Sequence, residues 1–190
     1  MRIRCGCAFV VLLLASLTER AWSAPLIDLG GESFRKGTRA VEVDAAYIYP
    51  LRFSEDEFYQ GALSASYYIA DDVAVGVEVS GYFVDQPNDD AVALGGGLLL
   101  RWHFLQADRY TLFVDGGFGV SIADTEVPEG GTHFNYTPKG GGGATFRLGD
   151  DVHLVGGLRF FHQSNANIHG REQNPSFDGA QYYVGVVFTL

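Results

Sequence analysis

Cysteine is absent beyond the first seven residues. Cys5 and Cys7 both precede the apolar run Ala8 to Leu14, which follows Arg2 and Arg4 and leads into Ala21-Trp22-Ser23-Ala24. This is the layout of a secretory signal peptide cut after Ser23, so residues 1–23 are set apart from the fold and a mature domain is expected over 24–190. That domain carries no disulfide, and cysteines lying before the apolar core rule out a lipid-anchored one. Long hydrophobic runs are missing too. The leader is too short to span a bilayer as a helix, and no helical stretch follows it. Basic residues are scarce: removing the leader takes three of 13 basic and one of 23 acidic residues, leaving a formal charge of about −12. A chain with that balance has no footprint for nucleic acid. His103, His133, His153, His162 and His169 show no ligand spacing, so neither a metal nor another cofactor is expected. Lys139 precedes Gly140 to Gly143, the reverse of a phosphate-loop order, and those glycines read as barrel interior.

What is present is glycine, at 25 copies, and aromatic residues, at 14%. About 167 residues make one domain, and the turn signals divide it into eight candidate strands: 39–50, 57–70, 72–84, 91–105, 109–121, 133–149, 151–164 and 179–190. Within them the side chains alternate. Val75, Val77, Val79 and Phe83 share a face opposite Ala74, Glu78 and Ser80. Val92, Leu94, Leu98, Leu100 and Trp102 oppose Ala93, Arg101 and His103, and Tyr110, Leu112, Val114 and Phe118 oppose Thr111 and Asp115.

The second face collects Glu42, Asp44, Glu78 and Asp115 with Arg101, Lys139, Arg147 and Arg159. Four acids against four bases suit the packed interior of an eight-stranded barrel, not an open pore, with inner glycines leaving room for the long side chains. Apolar residues then point outward, and the solvent they meet is lipid: an all-β, eight-stranded antiparallel transmembrane β-barrel. A soluble lipocalin-type barrel would turn the apolar face inward around a ligand. Export without a disulfide favours the membrane. So does a last strand, Tyr182 to Leu190, that resembles the C-terminal assembly signal of outer-membrane barrels, with its aromatic at Phe188 instead of the last position. The turns at 70–72, 105–109 and 149–151 are short, as periplasmic turns are, while the connections near 51–56, 85–90, 122–132 and 165–178 are mostly longer, as surface loops are. Glu55-Asp56-Glu57 and Asp89-Asp90 read as solvated loop charge, and Trp102 and the tyrosines as interface aromatics.

On this orientation the seventh candidate strand runs outward and ends at the cell-surface rim in His162-Gln163-Ser164-Asn165-Ala166. Parity from Arg159, an interior residue, puts His162 and Ser164 on the outer wall with Gln163 pointing in. A polar pair on a lipid-facing wall is costly except near the interface, which is where the count places it. Imidazole is a suitable base for a serine hydroxyl near neutral pH, so the pair suggests an esterase acting on lipid. Such a pair needs an acid to fix the imidazole tautomer. Counting back from Leu190, Asp178 is outward and Gln181 inward. Asp178 is therefore the expected acid, with Glu172 in the preceding loop as the alternative. Asn165 could supply an oxyanion donor from its side-chain amide or its backbone N–H.

His162-x-Ser164-Asn165-Ala166, followed by Asn174-Pro175 and an acid at Asp178, resembles the lipid A 3-O-deacylase (PagL-type) family and the related barrels named acyloxyacyl hydrolases. Thr132-His133-Phe134-Asn135-Tyr136-Thr137-Pro138 and the glycines after it look similar as well. The resemblance covers about residues 112–190. It implies a bacterial outer-membrane serine esterase that removes the 3-O-linked acyl chain of lipid A, in the lipopolysaccharide of the outer leaflet, without a metal. Two features depart from the family pattern. Ser176 stands where a glycine is common after Asn-Pro, and an alignment anchored on Asp178-Gly179 would bring Gln181 to the acid position. The other reading is a structural or adhesive barrel with a decayed site. Nothing in the sequence decides between a monomer and a homodimer.

Overall fold

A computed structural model describes residues 25–30, 34–51, 54–168, 170, 172 and 174–190. The expected leader, residues 1–23, lies outside them, as does His169. The described chain forms β1 (Ile27–Leu29), β2 (Arg39–Pro50), β3 (Glu57–Ala70), β4 (Val73–Asp85), β5 (Ala91–Ala107), β6 (Tyr110–Val127), β7 (Thr132–Tyr136), β8 (Lys139–Arg147), β9 (Val152–Gln163) and β10 (Phe177–Thr189). The sheet runs β5-β4-β3-β2-β10-β9-β8-β6 and closes through β5 pairing with β6. All of these pairings are antiparallel.

Three details differ from expectation. The sixth candidate strand, 133–149, divides into β7 and β8 at Thr137-Pro138, because proline brings no N–H to a ladder. β7 and β8 then share one stave of the eight. β6 runs on to Val127, shortening the loop after it. A short β1 also pairs in parallel with the end of β5, Ile27 opposite Leu105; three residues are too few for a periodicity to register.

The alternation sorts as lipid outside and a filled barrel inside. Val77, Val79, Leu94, Leu98, Phe118, Leu158 and Val184 are exposed on the outer wall. The interior has three layers. Toward the long loops, Ile48, Phe58, Val84, Phe161 and Phe177 form an apolar cluster. In the middle, Arg101 pairs with Glu42 (2.6 Å) and Asp115 (3.2 Å), Arg159 with Asp115 (2.6 Å), and Lys139 with Glu78 (2.6 Å). Arg159 also lies over the Tyr183 ring, 3.9 Å from its centroid. Arg147 shares this inner face at the end of β8, opposite the buried His153 and nearer the short-turn end than these pairs. Buried pairs of this kind rarely add stability over a hydrophobic filling, but stranding one partner is expensive, so they fix the arrangement. At the short-turn end Phe34 plugs the barrel. It stacks on Tyr68 (5.0 Å) and His103 (4.3 Å), and its carbonyl accepts the Asp72 N–H at 2.8 Å.

The inner glycines do more than leave room. A Cβ at Gly141 or Gly143 would run into the carbonyl oxygens of Leu158 and Gly156 on β9. Their absence of a side chain is what lets β8 and β9 approach so closely.

Candidate active site

The ladder between β9 and β10 carries the site. It runs from Phe177 opposite Gln163 to Phe188 opposite Val152 without a register shift. The parity count along both strands therefore holds, and Asp178 falls directly opposite His162 on the outer wall. Ser164 lies just past the end of β9, held by a two-way bridge to Tyr136: the Tyr136 N–H donates to the Ser164 carbonyl (2.8 Å) and the Ser164 N–H to the Tyr136 carbonyl (3.1 Å). The His162 N–H donates to the carbonyl of Pro138 at 2.9 Å. The break between β7 and β8 thus faces the site, and both its flanks tie down the strand that presents it.

The side chains form a relay. His162 Nε2 lies 2.9 Å from Ser164 Oγ, and His162 Nδ1 lies 2.6 Å from Asp178 Oδ1. Ser164 and Asp178 are buried, at 9% and 8% exposed, while the imidazole side chain is 30% exposed. One ring nitrogen meets a hydroxyl and the other a carboxylate, so the tautomer with a proton on Nδ1 leaves Nε2 free to accept the serine proton. Gln163, between them, is buried on the inner face.

The other sequence candidates fall elsewhere. Glu172 is exposed in the loop after Ser164, and Asp178 already occupies the Nδ1 side of the imidazole. Gln181 is fully buried in the barrel, its amide donating to Gln60 Oε1. The alignment that would make Gln181 the acid is therefore incompatible with the fold. Asn165 ties down the turn that follows: its backbone N–H donates to Asn174 Oδ1 (2.9 Å), and its Oδ1 accepts the Asn167 N–H (2.9 Å). The expected backbone oxyanion donor at Asn165 is thus already engaged, by a residue the motif contained but whose role spacing could not show. The turn that follows is closed by the Ile168 N–H on the Asn165 carbonyl (3.1 Å). Its central residues, Ala166 (φ 53°) and Asn167 (φ 60°), are both left-handed. Asparagine tolerates that region; alanine pays strain there, a feature that gathers at functional sites. Among the described residues no group of three or more His, Cys, Asp or Glu is arranged to hold a metal.

A closed eight-stave barrel with an apolar outer wall, a filled lumen and short turns at one end is a bacterial outer-membrane β-barrel. The likeness to solved structures agrees. Neisserial surface protein A superposes with a TM-score of 0.62 at 16% identity, over 82% of this chain and 100% of that one. The outer membrane enzyme PagL gives 0.61 at 17%, over 76% and 97%, and the N-terminal barrel of OprF from Pseudomonas aeruginosa 0.55 at 15%, over 82% and 98%. At those identities the likeness speaks for the fold alone. No curated protein sequence matches the chain. A family model does: residues 44–187 match that of the lipid A 3-O-deacylase, PagL. The chain belongs to the lipid A 3-O-deacylase (PagL) family.

Proposed function

We propose that this protein is an outer-membrane esterase that removes the 3-O-linked acyl chain of lipid A, with Ser164 as nucleophile, His162 as general base and acid, and Asp178 as the group that orients and charges the imidazole. The observation that carries the reading is the continuous contact from Asp178 through His162 to Ser164 on the lipid-facing wall, at the rim with the long loops.

His162 Nε2 takes the hydroxyl proton as Ser164 Oγ attacks the ester carbonyl, and Asp178 stabilises the imidazolium that forms. Collapse of the tetrahedral intermediate breaks the bond to the sugar oxygen, which leaves with the proton held on Nε2. Water, activated by the same nitrogen, then cleaves the acyl-serine, releasing a fatty acid and restoring the hydroxyl. The developing oxyanion needs a donor close to Ser164. The Ala166 N–H, on the left-handed residue two positions on, has no partner among the described residues, and it is the backbone donor this reading favours over the engaged Asn165 N–H.

The outer wall below the relay suits an acyl chain. Gly140 and Gly142 on β8 lie on the outer face between Phe160 and Leu158 of β9 and Gly116 and Val114 of β6. A Cβ at Gly140 would come no closer than 3.6 Å to other atoms. Packing demands glycine at 142, where a Cβ would meet the Phe113 carbonyl oxygen at 2.7 Å, but not at 140, so the smallness of Gly140 serves what lies outside. A structural or adhesive barrel with a decayed site is the alternative, and it leaves the intact relay without a use.

Mass spectrometry of lipid A from cells expressing the wild type or Ser164→Ala tests the proposal. The expected result is loss of one ester-linked acyl chain with the wild type only. An identical acyl pattern in both, with both proteins folded in the outer membrane, would reject it.

A further inference from the structure

We infer that the wall of the barrel far from the relay carries a seat for an anionic glycerophospholipid of the periplasmic leaflet. A groove of about 460 Å³ is cut into the outer face across β2, β3, β4 and β5, toward the short-turn end. Its floor is Ala65, a small residue on a strand whose outward neighbours, Leu63 and Tyr67, are large and exposed. Val41 and Val77, directly opposite Ala65 on the two flanking strands, form the sides, and Leu98 extends one of them. The walls are aliphatic and the volume falls within the range of small-ligand sites, so an acyl chain fits where bulk lipid would otherwise bridge a hollow.

The lip of the groove differs in character. Arg39 is exposed on the outer face at the periplasmic start of β2, opposite Tyr67. Among the described residues no carboxylate pairs with its guanidinium. A guanidinium at the membrane interface is a two-pronged phosphate receptor, and the adjacent phenol offers a further donor. In a chain with 23 acidic and 13 basic residues, an arginine with no paired carboxylate among the described residues, placed outside the barrel at the mouth of an apolar slot, is complementary to a negatively charged head group above a hydrocarbon tail. The groove opens toward the periplasmic leaflet, whereas the relay lies at the opposite rim. The seat is therefore separate from the reaction and its bound lipid is not substrate.

Native mass spectrometry of the full protein, released from detergent micelles carrying phosphatidylglycerol or phosphatidylcholine, reads the seat directly. The wild type should retain one phosphatidylglycerol in preference to phosphatidylcholine by about tenfold. Arg39→Gln should abolish that preference. Ala65→Trp should remove the retained lipid, whereas Ala45→Trp, on the same wall outside the groove, should keep it. Ala65→Leu replaces the tryptophan variant if that one fails the heat-modifiability check of a folded barrel. Equal retention of the two lipids by the wild type, retention by the Ala65 variant at the wild-type level, or release of a dimer that Ala65→Trp splits would each overturn the inference, the last in favour of a second copy on this face.

Discussion

Replacing Asp178 by asparagine keeps the shape of the relay and removes its charge. Asp178 Oδ1 lies 2.6 Å from His162 Nδ1, which puts the charge centres of carboxylate and imidazolium about 4 Å apart. At an effective dielectric of about 20 this is worth about 4 kcal/mol to the imidazolium formed in the transition state, or about a thousandfold in rate. The imidazole side chain is 30% exposed, which weakens the attraction and sets a lower figure near a hundredfold. An asparagine amide turned toward Nδ1 would also favour the wrong tautomer and push the loss higher. Asp178 touches histidine and not substrate, so kcat should fall while KM stays nearly constant. The assay is fatty-acid release from lipid A in mixed micelles by purified, folded protein, with Glu172→Gln as a control expected to behave as wild type. Activity of Asp178→Asn within about threefold of the wild type would rule out a charge role for Asp178, and the more so if Glu172→Gln were the inactive variant.

Three further outcomes follow from the same structure. Gly140→Phe should leave the barrel folded but cut turnover of long-chain esters about tenfold or more, through KM as well as kcat, while a short-chain ester is hydrolysed normally; equal loss on both substrates would count against the acyl path. Phe34→Ala should lower stability by about 3–5 kcal/mol in urea unfolding, because a ring only 1% exposed and packed on Tyr68 and His103 is lost, with micellar activity retained. Asp72, in the turn between β3 and β4, has its carboxyl pushed up to about 7 by burial and by the nearby charges of Asp71 and Asp28. The folded state then holds a proton that the unfolded chain releases from about pH 4 upward, so this group costs stability as pH climbs from 4 to 7. Asp72→Asn keeps the acceptor for the Gln106 amide and suits the left-handed backbone at φ 66°. It should raise the unfolding midpoint at pH 8 and leave it unchanged below pH 4; a gain of equal size at both would refute the assignment.

The sequence makes this barrel legible wherever period-two alternation runs uninterrupted. β2, β3, β4 and β10 lie within two residues of their expected limits because each has one face for lipid and one for the lumen. The same rigidity lets parity bring His162, Ser164 and Asp178 to one side, since nothing interrupts the β9–β10 ladder. Where backbone bonds leave the ladder, the signal fails. The division at Pro138, the capture of the Asn165 N–H by Asn174 and the insertion of Phe34 into the mouth are made by loops and a terminal segment, whose contacts have no period to read. The groove at Ala65 is invisible for another reason: one alanine among outward residues acquires meaning only from Val41, Val77 and Leu98 on three other strands.

The proposed function stands on Ser164 as an activated nucleophile facing the lipid. The most direct test treats the folded protein in micelles with a lipophilic fluorophosphonate and maps the adduct by peptide mass spectrometry. Modification is expected at Ser164 alone, lost in His162→Ala and slowed in Asp178→Asn. An unmodified Ser164 in protein that still deacylates lipid A, or an adduct on another residue, would contradict it.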